Sequence, residues 1–186
     1  MTRHPLQFIT AIGIFLSVLL FIAGYYYLRS RRKPAAGWEQ LVASLTWIDR
    51  NNIALVALDL VDESGRPKES DESATLEPAQ LWELVGGLEG LEVLEKNSEV
   101  LIKLACYVQQ WYPEALVVAE RLRLDARELQ WHVGRLKGAA QKGNLQVSFP
   151  FYAQRAVVSY YLMTRRLLSL YEAGNFSMLA DLQRAL

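Results

Sequence analysis

Residues 6–28 read LQFITAIGIFLSVLLFIAGYYYL, a run without a charged side chain that is followed at once by RSRRKP. As a helix rising ~1.5 Å per residue the run extends roughly 34 Å, and about 20 apolar residues suffice to cross a bilayer. It is therefore expected to be a single transmembrane helix, with residues 1–33 forming a membrane anchor that ends in a basic stop-transfer flank. Lys and Arg close to a span are retained on the cytoplasmic side. Arg29, Arg31, Arg32 and Lys33 outweigh Arg3, which places the N-terminus outside and the remainder in the cytoplasm. Tyr25, Tyr26 and Tyr27 suit the membrane interface, hydroxyls at the headgroups and rings in the acyl boundary. A cleaved secretory signal fits less well, because such signals carry their charge before a core of about 7–15 residues. The four basic side chains also suit contact with anionic headgroups, although a topological flank needs no lipid specificity.

Outward from this run, the formal charge of zero conceals a marked asymmetry. Residues 1–33 hold five Lys or Arg and no acid, so the remainder carries 15 bases against 20 acids. That remainder divides again, with 14 acids and 5 bases in residues 34–112 and 6 acids and 10 bases in residues 113–186. Opposed halves of this kind can attract each other within the fold or between copies. The net negative charge argues against general nucleic-acid binding. Cys106 is the single cysteine, which rules out an intrachain disulfide and agrees with a reducing compartment.

Residues 34–37 read as a hinge, and residues 38–186 are long enough for one domain with its own core. Leu41, Val42, Leu45, Ile48, Leu55, Val56 and Leu60 lie near one helical face. Asn51 and Asn52 are candidate interruptions, and the nearly continuous apolar stretch 53–61 is open to either helix or strand. Residues 62–77, DESGRPKESDESATLE, are too acidic and polar to become core and read as a flexible loop. Pro78 suits a helix start, and Gly86, Gly87 and Gly90 a helix break; no Lys-Ser or Lys-Thr follows them to make a phosphate loop. A core helix is expected through Leu94, Leu101, Leu104, Val108 and Trp111, ending at Pro113. The next carries Leu116, Val117, Leu124, Leu129, Val133 and Leu136, with a candidate break at residues 125–127. Residues 145–150, LQVSFP, read as an extended connection into a helix that starts at Pro150, runs along Ala156, Tyr160, Met163, Leu167 and Tyr171 and is capped by Gly174. Phe176, Leu179, Leu182 and Leu186 mark a short closing helix. The expected fold is all-α: the N-terminal span, then a small cytoplasmic bundle of about five to six helices.

No catalytic constellation accompanies this pattern. The paired Glu-x-x-His units of di-iron bundles do not occur, since Trp131 stands three residues after Glu128. Glu128 and His132 are four apart and can meet on one face as an ion pair or orienting hydrogen bond, and a Cys106–His132 pair has no local signature. No cofactor, metal or small-molecule ligand is implied. Trp111, Tyr112, Trp131, Tyr160 and Tyr161 supply contact area, and Arg121, Arg123, Arg127, Arg165 and Arg166 supply forked donors, the residue types enriched where proteins bind one another. The sequence thus points to a membrane-anchored helical protein that recruits or scaffolds a protein partner, or pairs with itself, at the cytoplasmic face of the bilayer. The alternative is a membrane-anchored enzyme with a pocket inside the bundle.

Overall fold

The computed structural model describes residues 4–30, 37–62, 65–66, 68 and 75–186. Among them the chain is all-helical, with α1 His4–Ser30, α2 Trp38–Ala43, α3 Arg50–Leu60, α4 Pro78–Val85, α5 Gly87–Val108, α6 Ala115–Gln141, α7 Leu145–Ala173 and α8 Leu179–Ala185. The chain divides into two units, Met1–Pro34 and Ala35–Leu186. In the first, α1 has described side chains only at residues 10–25, all of them exposed. Among the described residues no helix is long and apolar enough to cross a membrane, so of the expected span the structure carries the helix alone.

Among its described residues the second unit holds seven helices rather than five or six. Its core is α5, α6 and α7, which alternate in direction. Contacts between α5 and α6 run from Cys106–Arg123 back to Glu95–Lys137, and those between α6 and α7 from Trp131–Tyr152 back to Asp125–Arg166, the antiparallel sense that short connections impose. Leu94, Leu101, Leu104 and Val108 of α5, and Ala156, Tyr160, Met163, Leu167 and Tyr171 of α7, are all buried as their spacing predicts. The Tyr171 hydroxyl donates to the Leu104 carbonyl at 3.0 Å, which gives a large buried ring its polar partner.

Shorter helices close the ends. Trp38 of α2 rests on Tyr107 and Tyr171, with ring centroids 5.9 and 5.4 Å away. Asn97 of α5 holds the turn after α2 from both sides: its Oδ1 accepts from Thr46 N at 2.9 Å, and its Nδ2 donates to Thr46 O at 2.7 Å. The break between α2 and α3 falls before the two asparagines. Asp49 caps α3, its carboxylate accepting from Asn51 N and Asn52 N. This restart resets the helical phase, so Ile53, Val56 and Ala57 are buried while Leu55 faces solvent. Residues 53–60 are helix; Val61 follows in extended conformation.

Asp59 of α3 is a buried carboxylate with four donors around it. It accepts from Thr75 N (2.9 Å), Thr75 Oγ1 (2.6 Å), Leu76 N (3.4 Å) and Gln154 Nε2 (2.9 Å). Burial works to raise its pKa, but the hydrogen bonds from Thr75 and Leu76 outweigh burial and hold it below the ordinary value. Of the expected acidic loop, residues 63–64, 67 and 69–74 lie outside the described residues.

Two further expectations fail for one reason each. Residues 125–127 do not interrupt α6, because Asp125 points inward to Arg166 of α7 and forms an ion pair with Arg121 on its own helix. Residues 145–150 are not extended, because α7 begins at Leu145 and Pro150 is its sixth residue. A proline there removes the bond it would have given the carbonyl of Gln146 and crowds that carbonyl with its ring, within the second turn of the helix.

Candidate interaction surface

The early start of α7 builds a concave surface against α4. Its first turns bring Leu145, Phe149 and Pro150 against Pro78 and Trp82 of α4, enclosing an apolar groove of about 870 Å³ whose floor is the Trp82–Phe149 ring pair, 4.4 Å between centroids. Gln146 also lines it. Outside the groove lining, on the solvent side of α7, Val147 is 86% and Phe151 52% exposed, and the Arg155 guanidinium lies 4.2 Å from the Phe151 ring centroid. Tyr152 continues the aromatic surface to Trp131 of α6, with Arg135 over both rings. Aromatic rings paired with arginine are the composition of protein-binding hot spots.

Reading the sequence missed this surface. Its residues from Leu145 to Pro150 fall inside the stretch read as an extended connection, while Pro78, Trp82 and Trp131 do not; the signal that could have found the former is the 3.6-residue spacing of Leu145, Phe149 and Tyr152 continued into Ala156.

The arginines singled out in the sequence serve mostly inside the fold. Arg121 and Arg166 both reach the Asp125 carboxylate, which burial pushes above its ordinary range against their pull. Arg123 pairs with Glu120 at 2.5 Å and donates to Cys106 Sγ at 3.0 Å. Arg165 lies 5.8 Å from the Tyr161 ring centroid. Arg127 is exposed on α6. The five therefore do not form one patch. At the other end of the chain Tyr25 is 51% exposed, while the side chains of Tyr26, Tyr27 and Arg29, together with Arg31, Arg32 and Lys33, lie outside the described residues.

His132 and Cys106 are apart, for Cys106 contacts residue 123 while His132 stands nine residues further along α6, about 13 Å at the helical rise. His132 is 3% exposed, its Nε2 3.8 Å from Glu128 Oε1, too long for a hydrogen bond but close enough for charge attraction. Burial pushes its pKa below 6.5, opposed by Glu128 and assisted by Arg155. A histidine that binds its proton more weakly when folded withdraws stability as pH falls below the unfolded value of about 6.5. Urea unfolding should therefore show lower stability at pH 5 than at pH 7.5, and His132→Gln should flatten that difference; an unchanged slope would assign it elsewhere.

Among the described residues no three His, Cys, Asp or Glu side chains group as a metal site requires. Comparison with known proteins adds no relative: no family model, no curated protein and no solved structure matches this chain.

Proposed function

We propose that the chain is a single-pass membrane protein whose helical unit faces the cytoplasm and recruits or scaffolds a protein partner there. The observation that carries this reading is the uncharged run 6–28 with its flank of Arg29, Arg31, Arg32 and Lys33. A helical backbone from His4 to Ser30 supports it, because in lipid each backbone polar group must be satisfied within the helix. So does the exposure of its large apolar side chains, among them Leu20 at 74% and Phe21 at 78%, which need an apolar surrounding. The groove between α4 and α7 is the surface offered to the partner.

Topology and recruitment are tested separately. In a Cys106→Ala background, Lys142→Cys should resist a membrane-impermeant thiol reagent on intact cells and react once they are permeabilised. Labelling on intact cells would overturn the topology. Neutralising Arg29, Arg31, Arg32 and Lys33 together should give mixed or inverted insertion. Proteins captured from native membranes should be lost with Ala79→Glu and Gln146→Glu, two exposed residues of the groove lining; capture that survives both would move recruitment away from the groove. Arg166→Glu is unsuitable for this purpose, since it places a second carboxylate against buried Asp125. Turnover of a small molecule that fails on blocking the groove would favour the enzyme alternative.

A further inference from the structure

Helix α6 carries two seams of side chains: one is buried in the fold, and the other is exposed, touching the fold through Arg121 on Asp125 and Trp131 on Tyr152. Ala115, Ala119, Leu122, Ala126, Leu129 and Val133, in alternating steps of four and three, are buried against α5 and α7. Val117, Arg121, Leu124, Glu128, Trp131 and Arg135 follow the same alternation on the outside, and all six are exposed. The outer face of a packed helix is ordinarily polar. Here Val117, Leu124 and Trp131, at 73, 54 and 56% exposure, stand seven residues apart in one line, the spacing of a helix that packs against another helix.

From this face we infer that the second helix is α6 of another copy of this chain, lying antiparallel across a two-fold axis at Leu124. Such an axis sets each residue level with the one equally far beyond Leu124 on the partner. Leu124 meets Leu124 of the second copy, and the small Val117 meets the large Trp131. Arg121 falls about one residue, some 1.5 Å along the axis, from Glu128 of the second copy, and Glu114 is placed in the same way against Arg135. Every apolar position meets an apolar one and every charge its opposite, as a self-complementary interface requires. A parallel arrangement would instead set Arg121 on Arg121, Glu128 on Glu128 and Arg135 on Arg135.

The monomer's own contacts leave this face available. The Arg121 side chain is 56% exposed while it reaches Asp125 at 3.3 Å, and Asp125 keeps Arg166 if Arg121 turns outward. Arg135 lies 5.7 Å from the Trp131 ring centroid and braces the indole on the seam. The opposed acidic and basic halves of the chain thus have a local counterpart, acids and bases placed to pair between copies. The pairing does not depend on the membrane reading.

The test is directional disulfide cross-linking of the full-length chain in detergent micelles, in a Cys106→Ala background. Leu124→Cys alone should oxidise to a covalent dimer, since the two-fold brings that position onto itself. Val117→Cys and Trp131→Cys should each stay largely monomeric alone and cross-link when mixed. Glu114→Arg should lower the dimer fraction at least tenfold, and Arg135→Glu in the same chain should restore it. A helical Leu124→Cys protein that remains monomeric would overturn the inference. Self-cross-linking of Val117→Cys at the Leu124→Cys level would also overturn it, by showing a parallel pair.

Discussion

Leu104→Ala is expected to remove about 2–5 kcal/mol of stability, read as a lower urea midpoint at unchanged slope. Leu104 is fully buried in α5 where α6 and α7 close over it, so the lost methyl groups leave a cavity that three helices cannot readily collapse. Its carbonyl also receives the Tyr171 hydroxyl, and any backbone shift that fills the cavity strains that bond. Leu55→Ala is the matched control. Leu55 is 54% exposed on α3, and its truncation should change stability by less than about 0.5 kcal/mol. Equal effects at the two sites would contradict the assignment of the core.

Gly90→Ala is the second large effect. Gly86 ends α4 and caps α5 at φ 76°, so the two helices meet at one residue with no loop between them. The corner brings the α5 backbone so close to α4 that a Cβ on Gly90 would stand 1.8 Å from the Val85 carbonyl oxygen. The obstacle is backbone, which no rotamer change relieves. The cost should reach or exceed the upper end of the usual ~1–3 kcal/mol for overpacking. In a unit of this size that corresponds to a fall in Tm of about 6–12 °C by circular dichroism. Gly134→Ala offers the opposite sign: a Cβ there meets nothing within 4 Å on the exposed side of α6. Relief of glycine's helix penalty should stabilise by about 0.5–1 kcal/mol. A Gly90→Ala protein as stable as the parent would show that the α4–α5 corner is looser than this contact requires.

What the sequence disclosed depended on whether one helical phase ran unbroken. The stripes of α5 from Leu94 to Val108 and of α7 from Ala156 to Tyr171 were legible, since each lies within one helix and faces one core. Trp111 left its stripe because α5 stops at Val108 and the phase is lost in the turn. Val117 and Leu124 were counted with Leu129 and Val133 because all are apolar, and hydrophobicity alone cannot separate two seams on one helix. Asp125 looked like a break because its partner Arg166 is 41 residues away. The same distance hid the intramolecular work of Arg166, whereas Arg121 stands four residues from Asp125, a spacing that was legible and that composition alone passes over. The groove was lost to a single choice, the reading of Pro150 as a helix's first residue when α7 begins five residues earlier.

Asp59 has a meaning for how this chain can change. The backbone leaves α3 one residue after this carboxylate and is back in its grasp at Thr75, so the segment between departs and returns at a single point. Lengthening a tether whose two ends are already held together costs only about 0.6 kcal/mol for each doubling. The Thr75 and Gln154 bonds fix the seam from which it emerges, whatever its length. The bundle is in that sense a closed body with a port, and the stretch between α3 and α4 is where the protein can acquire new sequence without renegotiating its core.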